Sequence, residues 1–292
     1  MHGRTYYLAT RLLPAWKRPH VHALYGFTRY TDEIVDRPGS LTAEERARRL
    51  AEWTDQFLSA MAGTPVDDPI LRAVRHTIET FNLDHDDFAR FLKSMAMDLE
   101  VREYADYEEL LSYMEGSAAA IGTMMLPILG VTDSERAREP ARQLGLAFQL
   151  TNFIRDVAED LARGRIYLPL QDLAMFGVTP ADLHAAADRR RADPPVQALI
   201  AYEVRRARGH YAAAASGIPM LDPGSQACIR TAYHLYAQIL NEIERRDYNV
   251  FAGRAVVPRR RRLAVALRSM ATASGTPVRP PRPVPKSRVF WP

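Results

Sequence analysis

The sequence predicts an all-α fold, a single bundle of long helices around a central space. Three observations lead there. Apolar residues recur at helical spacing along almost the whole chain. Strand-type alternation is hard to find. Helix starts and stops carry their own signals. In order, the pattern predicts helices over 4–13, 15–36, 42–62, 68–80, 84–102, 106–129, 134–163, 180–188, 194–216, 223–247 and 257–271. Pro14 separates the first two. Thr42-Ala43-Glu44-Glu45 opens the third as a capping box, in which Thr and Glu satisfy each other's free backbone N–H groups. Gly63, Gly130 and Gly164 close helices. Gly177 precedes Thr179-Pro180, where proline occupies the first helical position and its missing N–H costs nothing. Pro219 divides the last two long helices. No fixed-period repeat and no composition break divides the body. Residues 1–271 therefore read as one helical domain, and 272–292 as a basic, Pro-rich tail without helical periodicity, expected to be disordered.

Composition excludes several classes. The chain has 292 residues, 47% hydrophobic and 25% charged, the balance of an ordinary globular protein. A mainly disordered chain and a polytopic membrane protein are ruled out. One cysteine, Cys228, cannot build a disulfide framework or a Cys-only zinc site, and is compatible with a reducing cytoplasm. No signal peptide is visible. The longest apolar stretch, Ala118 to Val131, is too short to span a bilayer and contains Pro127. The net charge of +4 hides an asymmetry. From Arg254 onward there are nine Arg, one Lys and no acid, which leaves 29 basic and 35 acidic residues, a net of −6, in the body. A cationic tail meets anionic lipid headgroups or nucleic acid, or is simply a solvated extension.

Two acidic clusters carry the chemistry. In Arg29-Tyr30-Thr31-Asp32-Glu33-Ile34-Val35-Asp36, Asp32 and Asp36 are i and i+4, so their carboxylates share a helix face and repel. Mg²⁺, which takes carboxylate oxygens while keeping waters and phosphates, would offset that repulsion. The alternative is a solvated acidic helix end. In Phe148-Gln149-Leu150-Thr151-Asn152-Phe153-Ile154-Arg155-Asp156-Val157-Ala158-Glu159-Asp160, the residues Asn152, Asp156 and Asp160 form one polar stripe, flanked by apolar residues. Carboxylates facing an interior need cations or paired bases. Two such stripes facing each other would hold several Mg²⁺ ions against a diphosphate and help it to depart. Arg29 and Arg155 sit beside these acids and serve either ion pairing or phosphate contact.

The second cluster continues into Gly164-Arg165-Ile166-Tyr167-Leu168-Pro169, and the whole resembles the signature of the squalene/phytoene synthase family. The first cluster, preceded by Ala23-Leu24-Tyr25-Gly26-Phe27, resembles that family's first aspartate-rich motif. The opening Gly3-Arg4-Thr5-Tyr6-Tyr7-Leu8-Ala9-Thr10-Arg11-Leu12-Leu13-Pro14 and the stretch Tyr236 to Glu244, with Tyr248, Phe251, Arg254 and Pro258, also match. The likeness covers about residues 2 to 268 and is nearest to actinobacterial phytoene synthases.

The resemblance implies an all-α isoprenoid synthase fold with a central hydrophobic cavity. It implies head-to-head condensation of two geranylgeranyl diphosphates through a cyclopropylcarbinyl diphosphate to phytoene, the first committed step of carotenoid biosynthesis. Asp32, Asp36, Asn152, Asp156 and Asp160 would hold Mg²⁺, or Mn²⁺ in its place. Arg29, Arg155, Arg254 and Tyr236 would contact diphosphate, with Thr5 offering a hydroxyl where relatives often have Ser. Gln149 would line the site, and Tyr25 and Tyr113 would stand near the reacting carbons or the diphosphate. No NADPH is expected. The expected setting is cytoplasmic, peripheral on the inner face of the cell membrane, with a carotenoid desaturase downstream and no nucleic acid.

The sequence departs from the family pattern in places. Glu33 stands where Asp is frequent, Gly3 where Ser is frequent, and Glu115 where an aromatic or small residue is frequent. The chain begins almost at the first motif, which predicts a short, weakly anchored first helix or a misplaced start. Tyr6, Tyr7, Phe27, Tyr113, Phe148 and Phe153 are either cation shields or core packing. The small residues Gly116, Ala118 to Ala120 and Gly122 either let helices approach closely or leave room for a prenyl chain. Two rival functions stand: a C30 synthase making squalene or dehydrosqualene from farnesyl diphosphate, and a non-catalytic helical scaffold with a membrane- or nucleic-acid-binding tail.

Overall fold

The structure, a computed structural model, describes residues 9–36, 41–258, 260–261 and 264–265. Its helices are α1 (Arg18–Asp36), α2 (Ala43–Met61), α3 (Pro69–Phe81), α4 (His85–Glu100), α5 (Tyr107–Met114), α6 (Ala120–Leu129), α7 (Ser134–Ala162), α8 (Leu170–Met175), α9 (Pro180–Arg189), α10 (Pro194–Ala214) and α11 (Pro223–Glu244). Among the described residues there is no strand, only the isolated bridges Glu103 with Ile166 and Val131 with Leu221.

The local signals act as expected. Thr42 accepts from the Glu45 N–H while Glu45 returns to the Thr42 N–H. Thr179 and Asp182 do the same for α9. Asp68, Asp84, Asp106 and Asp133 cap α3, α4, α5 and α7 by accepting backbone N–H groups left free in the first turn. Gly130 ends α6 at φ 76°, and a Cβ there would stand 2.0 Å from Asp222 Oδ2, so only glycine fits.

Three details differ from the sequence reading. The span expected as one helix over 106–129 is interrupted by a π-helical turn, Glu115–Ala119, where Gly116 crosses α4 so closely that a Cβ would meet the Arg90 carbonyl oxygen at 2.0 Å. The one-turn helix α8 went unread because it is too short to display a period. The second helix also starts at Arg18 rather than 15, after turn residues. The tail, and all of the 257–271 segment beyond 265, lie outside the described residues.

The long helix α7 is the axis. α10 and α11 pack along it on one side, and α6 with the π-helical turn packs on the other. The buried side chains form two clusters. One gathers residues of α5, α7, α10 and α11, including Tyr113, Leu150, Phe153 and Leu240. The other gathers α1 to α4 and α6, including Leu24, Phe57, Phe88 and Met124. A cavity of about 810 Å³ runs between them, and both clusters contribute to its wall.

Candidate active site

Each acidic cluster lies at the C-terminal end of its helix, where the backbone dipole is already negative. Asp32 and Asp36 are in the last turns of α1, and Asp156 and Asp160 in those of α7, and neither final turn carries a basic residue. Such an arrangement is unfavourable without cations. All four aspartates line the same cavity end. Its walls push the Asp160 carboxyl up to about 8, first by burial, then by repulsion from Asp156 and from Asp36 across the cavity. Burial and Asp36 likewise raise Asp32 to about 6, although 39% of its side chain still meets solvent. Arg165 ties the two clusters together, its backbone N–H donating to the Asp160 carbonyl oxygen at 2.9 Å and its Nη1 to Asp36 Oδ1 at 2.5 Å.

Arginines supply part of the missing positive charge. Arg29 donates to Asp32 at 2.8 Å and Glu33 at 3.1 Å. Arg155 reaches back to Asp156 through Nε at 2.7 Å, and Arg254 grips the same carboxylate at 2.7 Å. Arg155 and Arg254 both pair with Asp156, and neither is among the residues that line the cavity. Arg29 does border it. So do Arg163 and Arg165, both aimed at Asp36, at 3.6 and 2.5 Å.

The oxygen donors fit a hard divalent cation. Asn152 Oδ1 is buried at the cavity wall and accepts no hydrogen bond, an orphaned acceptor that a cation or its water would satisfy. Among the described residues no three acidic, His or Cys side chains form a ready-made metal cage. A cation held through one or two carboxylates keeps waters and phosphates in its remaining positions.

Away from the acids the cavity is apolar. Leu24, Met95, Ile121, Met125, Leu144, Ile218, Leu221 and Ile229 line its depth. Aromatic faces stand at the boundary: Phe153 stacks on Tyr167 at 4.0 Å, Tyr167 on Tyr113 at 5.9 Å, and Phe148 leans on Tyr236 at 4.5 Å. Tyr25 and Gln149 also border the cavity. Phe27, by contrast, is buried among Trp53, Phe57 and Phe88 and is core. Thr5, Tyr6 and Tyr7 lie outside the described residues. Gly122 lets α6 touch α7 backbone to backbone, since a Cβ there would stand 2.3 Å from the Ala141 carbonyl oxygen, and Gly145 lets α7 touch the π-helical turn, since a Cβ there would stand 2.3 Å from the Ala118 carbonyl oxygen. Glu115 pairs with Arg142 away from the cavity.

Sequence reasoning gave no site role to Asp98, Arg163, Arg165 or Tyr167, which all line the acidic end. Arg165 and Tyr167 lie in the run following the second cluster and were within reach. Asp98 had only one signal, a lone acid closing the apolar run of α4.

This fold and site define a class, an all-α prenyltransferase with paired acidic helix ends over a greasy pocket. Residues 1–261 match the squalene/phytoene synthase family. A phytoene synthase from Arthrospira platensis is 38% identical over 270 residues, 88% of this chain and 85% of the relative. A 15-cis-phytoene synthase from Synechocystis sp. is 38% identical over 90% of this chain and 79% of its own length. Among solved structures, a dehydrosqualene synthase in complex with ligand superposes with a TM-score of 0.84 at 27% identity, covering 92% of each chain. The squalene synthase HpnC from Alicyclobacillus acidocaldarius gives 0.76 at 29% identity over 85% of this chain and 90% of its own. The chain belongs to the squalene/phytoene synthase family.

Proposed function

We propose that this protein joins two molecules of geranylgeranyl diphosphate head to head to form phytoene, by way of a cyclopropylcarbinyl diphosphate. The observation that carries this is the 810 Å³ apolar cavity with two facing acidic helix ends at one extremity. The names of the curated relatives favour the C40 product over the C30 products of the structural neighbours. In this reading Asp32, Asp36, Asn152, Asp156 and Asp160 hold Mg²⁺, with Mn²⁺ as a substitute. Cations held there would supply the charge that neutralises a departing diphosphate. Arg29 orients the diphosphate, and Arg155 and Arg254 fix Asp156 in place. Gln149, Tyr25 and Tyr236 border the anionic group. Tyr113, Phe148 and Phe153 present ring faces to the cationic carbons, and the apolar walls keep water from quenching them. The last cation resolves by losing a proton, so no NADPH is consumed.

We further propose a cytoplasmic enzyme, peripheral on the inner face of the membrane, that passes its hydrocarbon to a desaturase. The cationic tail and the water-insoluble product support that setting. No helix among the described residues is long and apolar enough to cross a membrane.

The test is product analysis. Purified protein is incubated with Mg²⁺ and either geranylgeranyl diphosphate, or farnesyl diphosphate with and without NADPH. The expected product is a C40 hydrocarbon from the first substrate, absent with Asp32→Ala and with Asp156→Ala. A C30 product alone would move the enzyme to the squalene or dehydrosqualene branch. No product from either substrate would favour the scaffold.

A further inference from the structure

Arg165 sits at a junction. Its Nη1 donates to Asp36 Oδ1 at 2.5 Å and lies 3.2 Å from Asp98 Oδ2. Its Nη2 donates to the Asp98 carbonyl oxygen at 3.1 Å. Both Arg165 and Asp98 are almost fully buried, with side chains 5% and 6% exposed. The loop that carries Arg165 is stitched to the segment after α4, since Ile166 N–H donates to Arg102 O at 2.8 Å and Leu170 N–H to Tyr104 O at 2.9 Å. The guanidinium therefore cannot drift far from Asp98. Its Nε makes no hydrogen bond, so the fork is not saturated by these two partners. Asp98 is held in turn by the Tyr167 hydroxyl, which donates to Oδ1 at 2.7 Å.

One arginine is thus divided between a buried carboxylate that never leaves the wall and a carboxylate of the first acidic cluster. The two compete for it. When Asp98 attracts Arg165 more strongly, Asp36 is freer; when Asp98 attracts it less, Arg165 closes on Asp36 and a cation must displace it. The geometry points to Asp98 as a positioning residue for the first acidic cluster: by sharing Arg165 with Asp36 it sets how readily Asp36 accepts a divalent cation. This rests on the reading above in which Asp36 binds Mg²⁺. Tyr167 acts with Asp98 rather than against it, because its hydroxyl donates to the Asp98 carboxylate and favours the charge that draws Arg165.

The test is the Mg²⁺ concentration at which the full-length protein, with inorganic pyrophosphate present, reaches half its maximal thermal stabilisation. Asp98→Asn keeps the shape and the bond from Tyr167 but loses the charge. It is expected to raise that midpoint by about tenfold, the usual scale for residues that orient metal ligands. Tyr167→Phe is expected to raise it by less, since Asp98 keeps its carboxylate. Damage to the fold would move the midpoint whether or not Arg165 is present, whereas a shift through the shared arginine requires it. In an Arg165→Gln background neither change is expected to shift the midpoint further, because the coupling runs through the arginine. A shift that persists in the Arg165→Gln background, or an unmoved Asp98→Asn in a protein whose wild type responds normally, would overturn the inference alone. A wild type with no Mg²⁺ response would overturn the metal reading, and the inference with it.

Discussion

Asp32 and Asp160 show how a site can be built against its own stability. Both carboxyls are raised, to about 6 and about 8. Between the ordinary carboxylate value and these values, the metal-free folded chain keeps protons that the unfolded chain has released. Low pH therefore favours the fold, and stability falls as pH rises through about 6 for Asp32 and about 8 for Asp160. Mg²⁺ takes only the deprotonated carboxylates, so its stabilisation must grow over the same interval. Melting temperatures with and without Mg²⁺, taken from about pH 5 to about pH 8.5, should diverge as pH rises. A Mg²⁺-induced shift that is equal at both ends would exclude these aspartates as ligands. Glu203, buried with Asp172 around Arg206, is also raised to about 8 and adds to the metal-free slope. Asp160→Asn isolates the part that belongs to the site.

At the scale of elements, two contacts fix how the helices around the cavity meet. α7 meets α6 and the π-helical turn through glycines, and the atoms facing Gly145 are backbone, which no rotamer change can move. Gly145→Ala should therefore cost about 2 kcal/mol, the range seen for overpacking, read as a lower denaturant midpoint with an unchanged slope. At the far end Lys17, 1% exposed, donates to the Leu129 carbonyl, to Asp222 at 3.1 Å and to Ser225 at 3.0 Å. It thereby ties the C-terminus of α6 to the N-terminus of α11. Burial lowers the pKa of its ammonium while Asp222 opposes that shift. Lys17→Met would remove the charge and leave Asp222 and Ser225 short of a donor, with Leu129 O still held by the Ser225 hydroxyl, at a cost of about 2–3 kcal/mol. Equilibrium unfolding checks this, and a loss below about 0.5 kcal/mol would show the contact to be incidental.

Across the whole molecule, the charge separation is the feature left for function. The acidic body and the cationic end segment carry opposite signs. If the tail is a membrane contact, removing residues 272–292, with Arg279, Arg282, Lys286 and Arg288, should weaken pelleting with anionic liposomes at low salt and leave turnover in detergent intact. Pelleting unchanged by truncation would assign the contact to residues before 272.

Much of this was legible residue by residue. Asn152, Asp156 and Asp160 had to share a face, because a helix returns every 3.6 residues, and Thr42, Thr179 and Gly130 announced their boundaries through local backbone chemistry. The resemblance then placed the chain in its family before any coordinate. What stayed hidden was set by groups far apart in the chain. Arg165 meets Asp36 across 129 residues and the Asp98 carbonyl across 67. No periodicity relates such positions; only the packing of α1, α4 and α7 brings them together. The same holds for the π-helical turn, imposed where Gly116 passes α4, and for Arg155, whose neighbour Asp156 claims it once both are withdrawn from water. The sequence by itself determined which helices form and which of their faces are polar, because those depend on spacings within a few turns. The tertiary structure alone decided which charges oppose each other across the cavity, because pairing energy depends on distance and burial that only the folded chain defines.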